Sequence, residues 1–469
     1  MRARAGGRAG FVVLVCSACG SSGAPVRTAP PPAATADPPV MVTEAAASST
    51  PAPAAPSSAQ QTAETAAIAT MLRHVQQVRQ LDATRPVPGV RLGRGALIER
   101  VKEHVARELP PKAIRNEGLE LQLFGFLPTG FDYEAAEYQL LQEQLAGYYE
   151  PADRTMYLAS DLHDDEADAT LAHELVHALQ DQHWDLESRS RYRPGEGDRS
   201  EAVSALAEGD ATSAMYDMIV PRVLGAGATA LDVHDIAAQI REGVSQGPGA
   251  KAPSVMRSSL AAPYIYGTLF VNALRRKGGW AAVDRAWEDP PTTSEQILHV
   301  DKWLAHEPAK AVSAPTIAAL GPGWEIIDED SEGELGARTA FEEWVPLAEA
   351  AEVSAGWGGD RGVLVANGDR AAFGWRMRYD DGARAGGGPA AHAYAVLAHA
   401  LDRVLGPATA KGPDAVCRER ADRGPIAIAH KGLDLVVTLG PARVTPSAWS
   451  TAADCAAALK WIREIAAAP

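Results

Sequence analysis

Through the first part of the chain, apolar residues recur at the spacing of helices. A helix predicted over residues 63–81 carries its apolar side chains on one face, at Ile68, Met71, Leu72, Val75 and Val78. Similar spacing predicts helices over 94–109, 117–127, 133–145 and 263–274, and the first of these four ends at two consecutive prolines, Pro110 and Pro111. This part of the chain is therefore expected to be a helical scaffold.

Within this region the pattern predicts a β-hairpin followed directly by a long helix. Two short β-prone runs, 148–149 and 155–158, flank a Pro-Ala-Asp-Arg turn. Acidic residues suited to a helix start follow, and apolar residues at helical spacing come next: Asp164, Asp165, Glu166 and Asp168, then Leu171, Leu175, Ala178 and Leu179. The helix is expected to be buried on most sides.

From about residue 311 the composition shifts towards glycine and acidic residues, and the pattern becomes mixed. Residues 362–367 and 373–378 are predicted to be strands paired across a turn at Gly368 and Asp369, with a helix over 390–405 and a strand over 433–439. The glycine-rich run 356–361 is expected to form a tight structural turn. We predict an α+β fold, with a helix-rich domain over 63–310 and a smaller α+β domain over 311–469.

Composition agrees with two packed domains. The chain has 469 residues, and 46% of them are hydrophobic, which is enough for a large core. Its formal net charge is −16, and removal of Arg2, Arg4 and Arg8 with a leader would make it three units more negative. Such a chain repels phosphate backbones, so nucleic acid is not an expected partner.

The N-terminus has the pattern of an export signal over residues 1–18. The three arginines precede a short apolar run at 11–15, and Ser17 and Ala18 come directly before Cys19. This resembles the lipobox of bacterial lipoproteins, although Cys16 stands where leucine is usual. The resemblance implies a lipidated Cys19 as the sole membrane contact and a place in the cell envelope. An ordinary cleaved signal is the alternative.

Residues 19–62 are rich in Pro, Ala, Ser and Thr and cannot bury a core, so they are predicted to be a disordered tether. Beyond the signal region the chain has one further pair of cysteines, Cys417 and Cys455. In an exported protein these most simply form a disulfide that closes the C-terminal domain. Two separate buried thiols are the alternative.

The predicted long helix carries two histidines four residues apart, with a glutamate directly after the first. This spacing places His173 and His177 on one helix face, where two neutral imidazoles can bind one Zn²⁺ at about 2.0–2.1 Å. Glu174 is then placed to act on a water at the metal. Histidines that merely belong to the packed helix are the alternative, but unpaired polar groups in such a core would be costly.

Two residues compete as the third ligand. His183 has the spacing of the metzincin pattern HExxHxxGxxH, but Gln180 stands where that pattern needs a glycine to break the helix. Glu208 lies on another predicted helix, and the small Gly209 after it would allow a close approach to the first helix. It would complete a His₂Glu site with water in the fourth position. The sequence favours Glu208 and leaves His183 open.

Other polar residues are candidates for supporting roles. Asp181 and Asp210 could orient the histidines through their outer nitrogens. Tyr264, Tyr266 and His299 are candidates for a donor near a developing oxyanion. An ordinary packing or surface role is the alternative for each of the five.

Five segments together resemble a group of exported bacterial HExxH proteins of the gluzincin type: AGYYEPADRTMYL, LAHELVHALQDQHWDL, ALAEGDA, TSEQILH and SAGWGGDR. The resemblance implies a zincin-like catalytic domain that hydrolyses peptide bonds. It also implies that His173, His177 and Glu208 bind zinc, that Glu174 is the base, and that the hairpin pairs with an extended peptide or protein substrate. The last two segments carry no chemistry that we can assign.

Two other functions stay open from the sequence. One is a surface binding or scaffold protein whose zinc is structural, and the other is a hydrolase of peptidoglycan amide bonds. The sequence does not determine the oligomeric state.

Overall fold

The computed structural model describes residues 58–224, 227–246, 248–382, 388–446 and 448–468. The predicted signal peptide and residues 19–57 of the predicted tether lie outside them. Residues 58–62 are helical, so the prediction of a disordered tether was wrong for this short piece. Its serine, alanine and glutamine residues extend the first helix without adding a large apolar side chain. None of the described helices is long and apolar enough to cross a membrane.

The part of the chain before residue 310 is mainly helical. Its helices are α1 (Ser58–Arg79), α2 (Arg94–Glu108), α3 (Pro111–Phe124), α4 (Tyr133–Gln144), α5 (Asp164–Trp184), α6 (Leu186–Ser190), α7 (Gly197–Leu224), α8 (Val233–Gln246), α9 (Ser254–Gly278), α10 (Trp280–Glu288), α11 (Ser294–Leu298) and α12 (Val300–Leu304). Helices α5, α7 and α9 share one apolar core, and α1 and α10 pack against it.

Two further predicted helix starts were wrong, and both errors involve proline. Helix α3 begins at Pro111 and not at residue 117, because proline fits the first helical position, where no N–H is needed. Helix α9 begins at Ser254, so Pro263 lies inside it and does not open it. Tertiary packing of the long α9 outweighs the hydrogen bond that Pro263 cannot donate.

The predicted hairpin is confirmed. Strands β2 (Gly147–Glu150) and β3 (Thr155–Ala159) pair antiparallel, and β1 (Gly89–Leu92) pairs with β3 in parallel on its other side. The short β1 was not predicted, because four residues between Pro88 and Gly93 give no periodicity. Strand β2 is thus an edge of this small sheet, and it packs against α5.

The C-terminal part is built on an eight-stranded antiparallel sheet, so the chain has an α+β fold. Its strands are β4 (Glu325–Asp330), β5 (Trp357–Asn367), β6 (Arg370–Tyr379), β7 (Ala410–Lys411), β8 (Ala415–Arg418), β9 (Ile426–Lys431), β10 (Asp434–Val444) and β11 (Trp449–Thr451), and its helices are α13 (Gly333–Glu342), α14 (Leu347–Ser354), α15 (Pro389–Leu405) and α16 (Cys455–Ala467). The strand order is β4-β5-β6-β10-β9-β8-β7, with β11 beside β10.

The prediction of a tight turn over 356–361 was wrong, because β5 begins at Trp357 and runs through this segment. The glycines of this segment let a neighbouring segment of the chain pack closely against the strand. A Cβ on Gly359 would lie 2.2 Å from the carbonyl oxygen of Lys310, and one on Gly358 would lie 2.6 Å from Oδ1 of Asp380. The backbone N–H of Lys310 donates to the carbonyl of Gly358 at 2.5 Å. Small residues therefore let the segment that enters the C-terminal part lie against the strand.

The predicted disulfide is present. It joins Cys417 in β8 to Cys455, the first residue of α16, with a Cα–Cα distance of 5.7 Å. Two arginines of the sheet part also bond to the helical part. Arg420 donates to the carbonyl of Phe124 at 3.0 Å, and Arg423 donates to the carbonyl of Gln122 at 3.1 Å. The last turn of α3 is thus capped by arginines of the C-terminal part.

Helices α7 and α9 approach most closely at two glycines. A Cβ on Gly209 would lie 2.1 Å from backbone atoms of Gly267, and one on Gly267 would lie 1.8 Å from the carbonyl oxygen of Ala205. We expected Gly209 to allow a close approach to α5, and this was wrong, because the close approach is to α9. The contact fixes α7 and hence Glu208, its neighbour in sequence.

We therefore expect Gly267→Ala to lower the free energy of unfolding by about 3 kcal/mol or more, because backbone atoms of α7 and α9 must move apart. Urea denaturation measures the effect. The matched control is Gly95→Ala in α2, where a Cβ meets nothing within 4 Å and the change should stay within about 1 kcal/mol. Equal effects of the two substitutions would contradict the close-contact argument.

Candidate metal centre

Three of the predicted site residues converge. His173 and His177 lie one turn apart on α5, and α7 crosses beside them and brings Glu208 to the same point. The Nε2 atoms of the histidines are 3.1 Å apart, and Oε2 of Glu208 lies 3.0 Å from that of His173 and 3.7 Å from that of His177. All three side chains are buried. The centre thus places three potential ligand atoms around one point inside the protein.

These separations match a tetrahedral zinc site. Ligands bonded at about 2.05 Å with tetrahedral angles stand about 3.3 Å apart, and the observed values of 3.0–3.7 Å bracket that distance. Two imidazoles and one carboxylate are also a donor set that zinc uses in sites with an open fourth position. The three residues therefore fit the metal in both geometry and chemistry.

The electrostatics of the centre favour a cation. Burial opposes a charged imidazole, but at His177 the carboxylates of Glu208 and Glu174 outweigh it and raise the pKa to about 9. At His173 burial prevails and lowers the pKa. Burial alone would raise the pKa of Glu208, yet the two histidines hold it below its usual range. A divalent cation would take the place of the His177 proton, so metal binding at neutral pH should release a proton.

The outer nitrogen of His177 is held by Gln180. Nε2 of Gln180 faces two acceptors, the carbonyl of Ala207 at 3.0 Å and Oδ2 of Asp210 at 3.2 Å, so Oε1 must face the histidine. Oε1 lies 2.8 Å from Nδ1 of His177, which therefore carries a proton. In the neutral imidazole the lone pair then lies on Nε2, the atom that faces His173 and Glu208.

Asp210 anchors this network through Gln180, and within the described residues it makes no hydrogen bond to either histidine. Its Oδ1 accepts a bond from Arg79 at 2.6 Å, and its Oδ2 accepts one from the indole of Trp287 at 2.8 Å. Both Arg79 and Asp210 are fully buried. The sequence named Asp210 as an orienting residue but missed Gln180, Arg79 and Trp287. The spacing of three residues from His177 could have suggested Gln180, whereas the other two come from distant helices.

Glu174 is positioned by strand β2. The backbone N–H of Tyr149 donates to Oε2 of Glu174 at 2.9 Å, so the edge strand fixes the carboxylate beside the two histidines. This contact also uses the N–H of Tyr149, which an extended peptide along β2 would otherwise need. The expected pairing of substrate with the hairpin stays a prediction.

Three other named candidates lie away from the centre. His183 directs Nε2 to the carbonyl of Asp82 at 2.6 Å and is outside the cluster. Asp181 accepts bonds from Arg85 and from the Tyr149 hydroxyl, and within the described residues it makes no hydrogen bond to His177. His299 lies 2.9 Å from Glu334 in another part of the fold. His183 was the open alternative to Glu208, and the described structure does not bring it to the other ligands.

The two tyrosine candidates differ in their position relative to the centre. The ring of Tyr264 stacks on that of His173, with centroids 5.9 Å apart. Tyr266 is turned towards Arg241, which donates to its hydroxyl at 2.8 Å. Of the proposed oxyanion donors, Tyr264 alone lies beside the centre.

The two segments without assigned chemistry form the joint between the helices and the sheet. Ser294 of TSEQILH donates its N–H at 2.7 Å to Asp198 near the start of α7. Asp360 of SAGWGGDR accepts indole N–H bonds from Trp357 at 3.0 Å and Trp375 at 2.8 Å. It also accepts the N–H of Gly333, which opens α13. These residues hold α7 against the C-terminal part.

A second group of acidic side chains, Glu295, Glu307 and Asp380, is explained without a metal. Nζ of Lys302 lies between them, at 2.5 Å from Glu295, 2.8 Å from Glu307 and 2.5 Å from Asp380. A lysine already neutralises part of this negative charge, so the group is an ion-pair network.

Because Gln180 orients His177, we expect Gln180→Leu to weaken zinc binding by roughly 10- to 100-fold. Leucine keeps the volume but leaves Nδ1 of His177 and Oδ2 of Asp210 short of a partner. Competition with a chromophoric zinc chelator measures the affinity. His183→Leu is the matched control on the same helix, and an equal loss in that variant would contradict a role for Gln180.

The fold and the centre define an α+β protein with a buried cluster of two histidines and one carboxylate. A family model described as a domain of unknown function, DUF8575, matches residues 324–457, which lie in the sheet part and outside this cluster. No curated protein matches the chain. A crystal structure from Chloroflexus aurantiacus, provisionally assigned as a hydrolase with a novel fold, matches at 18% identity and a TM-score of 0.31. The match covers 54% of this chain and 92% of that one. Likeness at this level carries no inference about this chain.

Proposed function

We propose that the protein is a zinc-dependent hydrolase that cleaves peptide bonds. The observation that carries the proposal is the convergence of His173, His177 and Glu208 at tetrahedral spacing, with Glu174 beside them. When bound, zinc supplies a Lewis acid that acidifies water and polarises the scissile carbonyl. The location proposed with this function is the cell envelope, with Cys19 as the lipidated residue.

The chain's own residues divide the remaining work. Glu174 accepts a proton from the attacking water as the new C–O bond forms, and it delivers that proton to the amide nitrogen as the C–N bond breaks. The N–H of Tyr149 keeps this carboxylate in place. Gln180 and Asp210 keep His177 oriented, so the ligand atoms do not need to reorganise during the reaction.

The test is turnover with and without metal. The purified protein should hold about one zinc ion per chain and hydrolyse unfolded casein, lose activity with 1,10-phenanthroline, and regain it with added Zn²⁺. Purified murein in parallel separates peptide hydrolysis from cleavage of peptidoglycan amides. Undiminished turnover after complete removal of the metal would contradict the proposal. One bound zinc without turnover of either substrate would indicate a structural zinc.

A further inference from the structure

A cavity of about 170 Å³ opens beside the metal centre. Glu208 and Tyr264, the residue stacked on His173, both line it, so the cavity adjoins the centre, although neither histidine is among its lining residues. Its walls come from α3, α4, α7, α9 and α13. An engineered cavity of about 150 Å³ holds benzene, so this one has room for a single side chain. We refer to it as the acidic cavity.

The acidic cavity is lined by carboxylates and, among the described residues, by no basic side chain. Five glutamates are among the described residues that line it, Glu117, Glu137, Glu201, Glu208 and Glu332, and no Lys, Arg or His is among them. Burial raises the pKa of Glu137 to about 7. A cation that entered the cavity would favour the ionised carboxylates, and an anion would be repelled.

Two side-chain hydroxyl groups in the wall of the cavity are available to hydrogen-bond to a ligand. Ser204 is 4% exposed and Thr339 is 8% exposed, and both line the cavity. Within the described residues neither hydroxyl has a hydrogen-bond partner, although helical serines and threonines commonly bond to a backbone carbonyl of the preceding turn. Both hydroxyls can therefore bond to a polar group that enters the cavity.

Three polar residues of α7 connect the cavity with Glu208 of the metal centre. Glu201, Ser204 and Glu208 are spaced by three and four residues and therefore share one helix face. Leu121, Phe124 and Met256 add apolar side chains to the lining. Such a site suits an aliphatic stem that ends in a positive charge.

We propose that the acidic cavity is a specificity pocket for a cationic group next to the scissile bond. The group is an ammonium or guanidinium, carried by a lysine or arginine side chain or by the substrate's free α-amine. This inference rests on the proposed function and names its substrate class. Glu208 is assigned to the metal, so the carboxylates of Glu117, Glu137, Glu201 and Glu332 select the charge. The hydroxyls of Ser204 and Thr339 accept its N–H bonds.

The test measures binding without turnover. Zinc-loaded, full-length protein with Glu174→Gln is titrated with fluorescent alanine-rich peptides that carry lysine, norleucine or glutamate at one position. We expect the lysine peptide to bind about tenfold more tightly than the norleucine peptide, and the glutamate peptide to bind most weakly. N-terminal acetylation identifies the source of the charge. Loss of affinity on acetylation assigns the pocket to the α-amine, and retention assigns it to the side chain.

Variants connect the preference to the cavity. Glu201 is only partly buried, so Glu201→Gln should fold normally, and it should reduce the preference for the cationic peptide to about twofold. The exposed Glu288 in α10 provides the control of equal charge change, and Glu288→Gln should leave the preference intact. A thermal melt verifies folding of both variants.

The inference is overturned if neither replacement of lysine by norleucine nor acetylation weakens binding, if no peptide binds, or if Glu201→Gln leaves the preference unchanged. Hydrolysis without any preference for charge would refute the pocket and leave the proposed function standing. A charge preference in a protein that never hydrolyses peptide would refute the proposed function and leave the pocket standing.

Discussion

Replacing Glu174 by glutamine is expected to lower kcat for peptide hydrolysis by roughly 10²–10⁴-fold, the contribution that a positioned general base makes. An amide cannot accept the proton of the attacking water. Its oxygen can still accept the N–H of Tyr149, which now holds Oε2 of Glu174 at 2.9 Å, so the local structure should survive. Zinc should stay near one ion per chain, because Glu174 is outside the ligand cluster.

Single-turnover hydrolysis of a labelled peptide and metal analysis on the same sample give the two readouts. Glu288→Gln, which makes the same chemical change at an exposed site, should retain both activity and zinc. Loss of metal from the Glu174→Gln protein would show that Glu174 has a structural role. Retention of full activity would show that Glu174 is not the general base.

The features that the sequence predicted correctly are those determined by local patterning. The histidine pair follows from the helical period alone, since residues four apart share a face. The hairpin follows from two β-prone runs around a turn, and β5 and β6 pair across Gly368 as the alternation predicted. Sequence patterning does not show close packing, so the segment that begins at Trp357 was predicted to be a turn, because a run so rich in glycine is unusual in a regular element.

The centre was predictable only in part, for a related reason. Glu208 could be proposed because a glutamate beside a small residue fits a known donor set, but its distance to the histidines depends on how α7 crosses α5. The glycine contact between α7 and α9 helps to place α7, and no periodicity reveals it. Arg79 and Trp287 reach Asp210 from helices far away in sequence, so the network around Gln180 required the fold.

The joint between the two parts gives the unassigned segments a physical role. Asp198 is buried near the start of α7 and is bonded by Ser294, and burial raises its pKa to about 7. Glu208 lies on the same helix, and Asp360 fixes the start of α13, which packs on α7. The sheet part therefore helps to hold Glu208, the proposed third ligand, although none of the three proposed ligands lies in it.

Glu208→Gln should weaken zinc binding by more than the roughly 10- to 100-fold expected for loss of an orienting partner, because it removes a ligand. The variant also loses the charge that balances the cation in a buried site. Hydrolysis should fall in parallel at a fixed, limiting zinc concentration. His183→Ala should keep both zinc and activity, since that side chain contacts the carbonyl of Asp82 and not the cluster.

The pH dependence of zinc binding distinguishes loss of the ligand from general damage. In the parent protein the pKa of His177 is raised to about 9, so zinc must displace a proton at neutral pH, and its affinity should increase as the pH rises towards 9. The carboxylate of Glu208 contributes strongly to that raised pKa. In Glu208→Gln the pKa of His177 should fall, and the increase in affinity above neutral pH should flatten. Zinc titrations from pH 6 to 9 measure both effects, and equal losses in Glu208→Gln and His183→Ala would contradict the assignment of the third ligand.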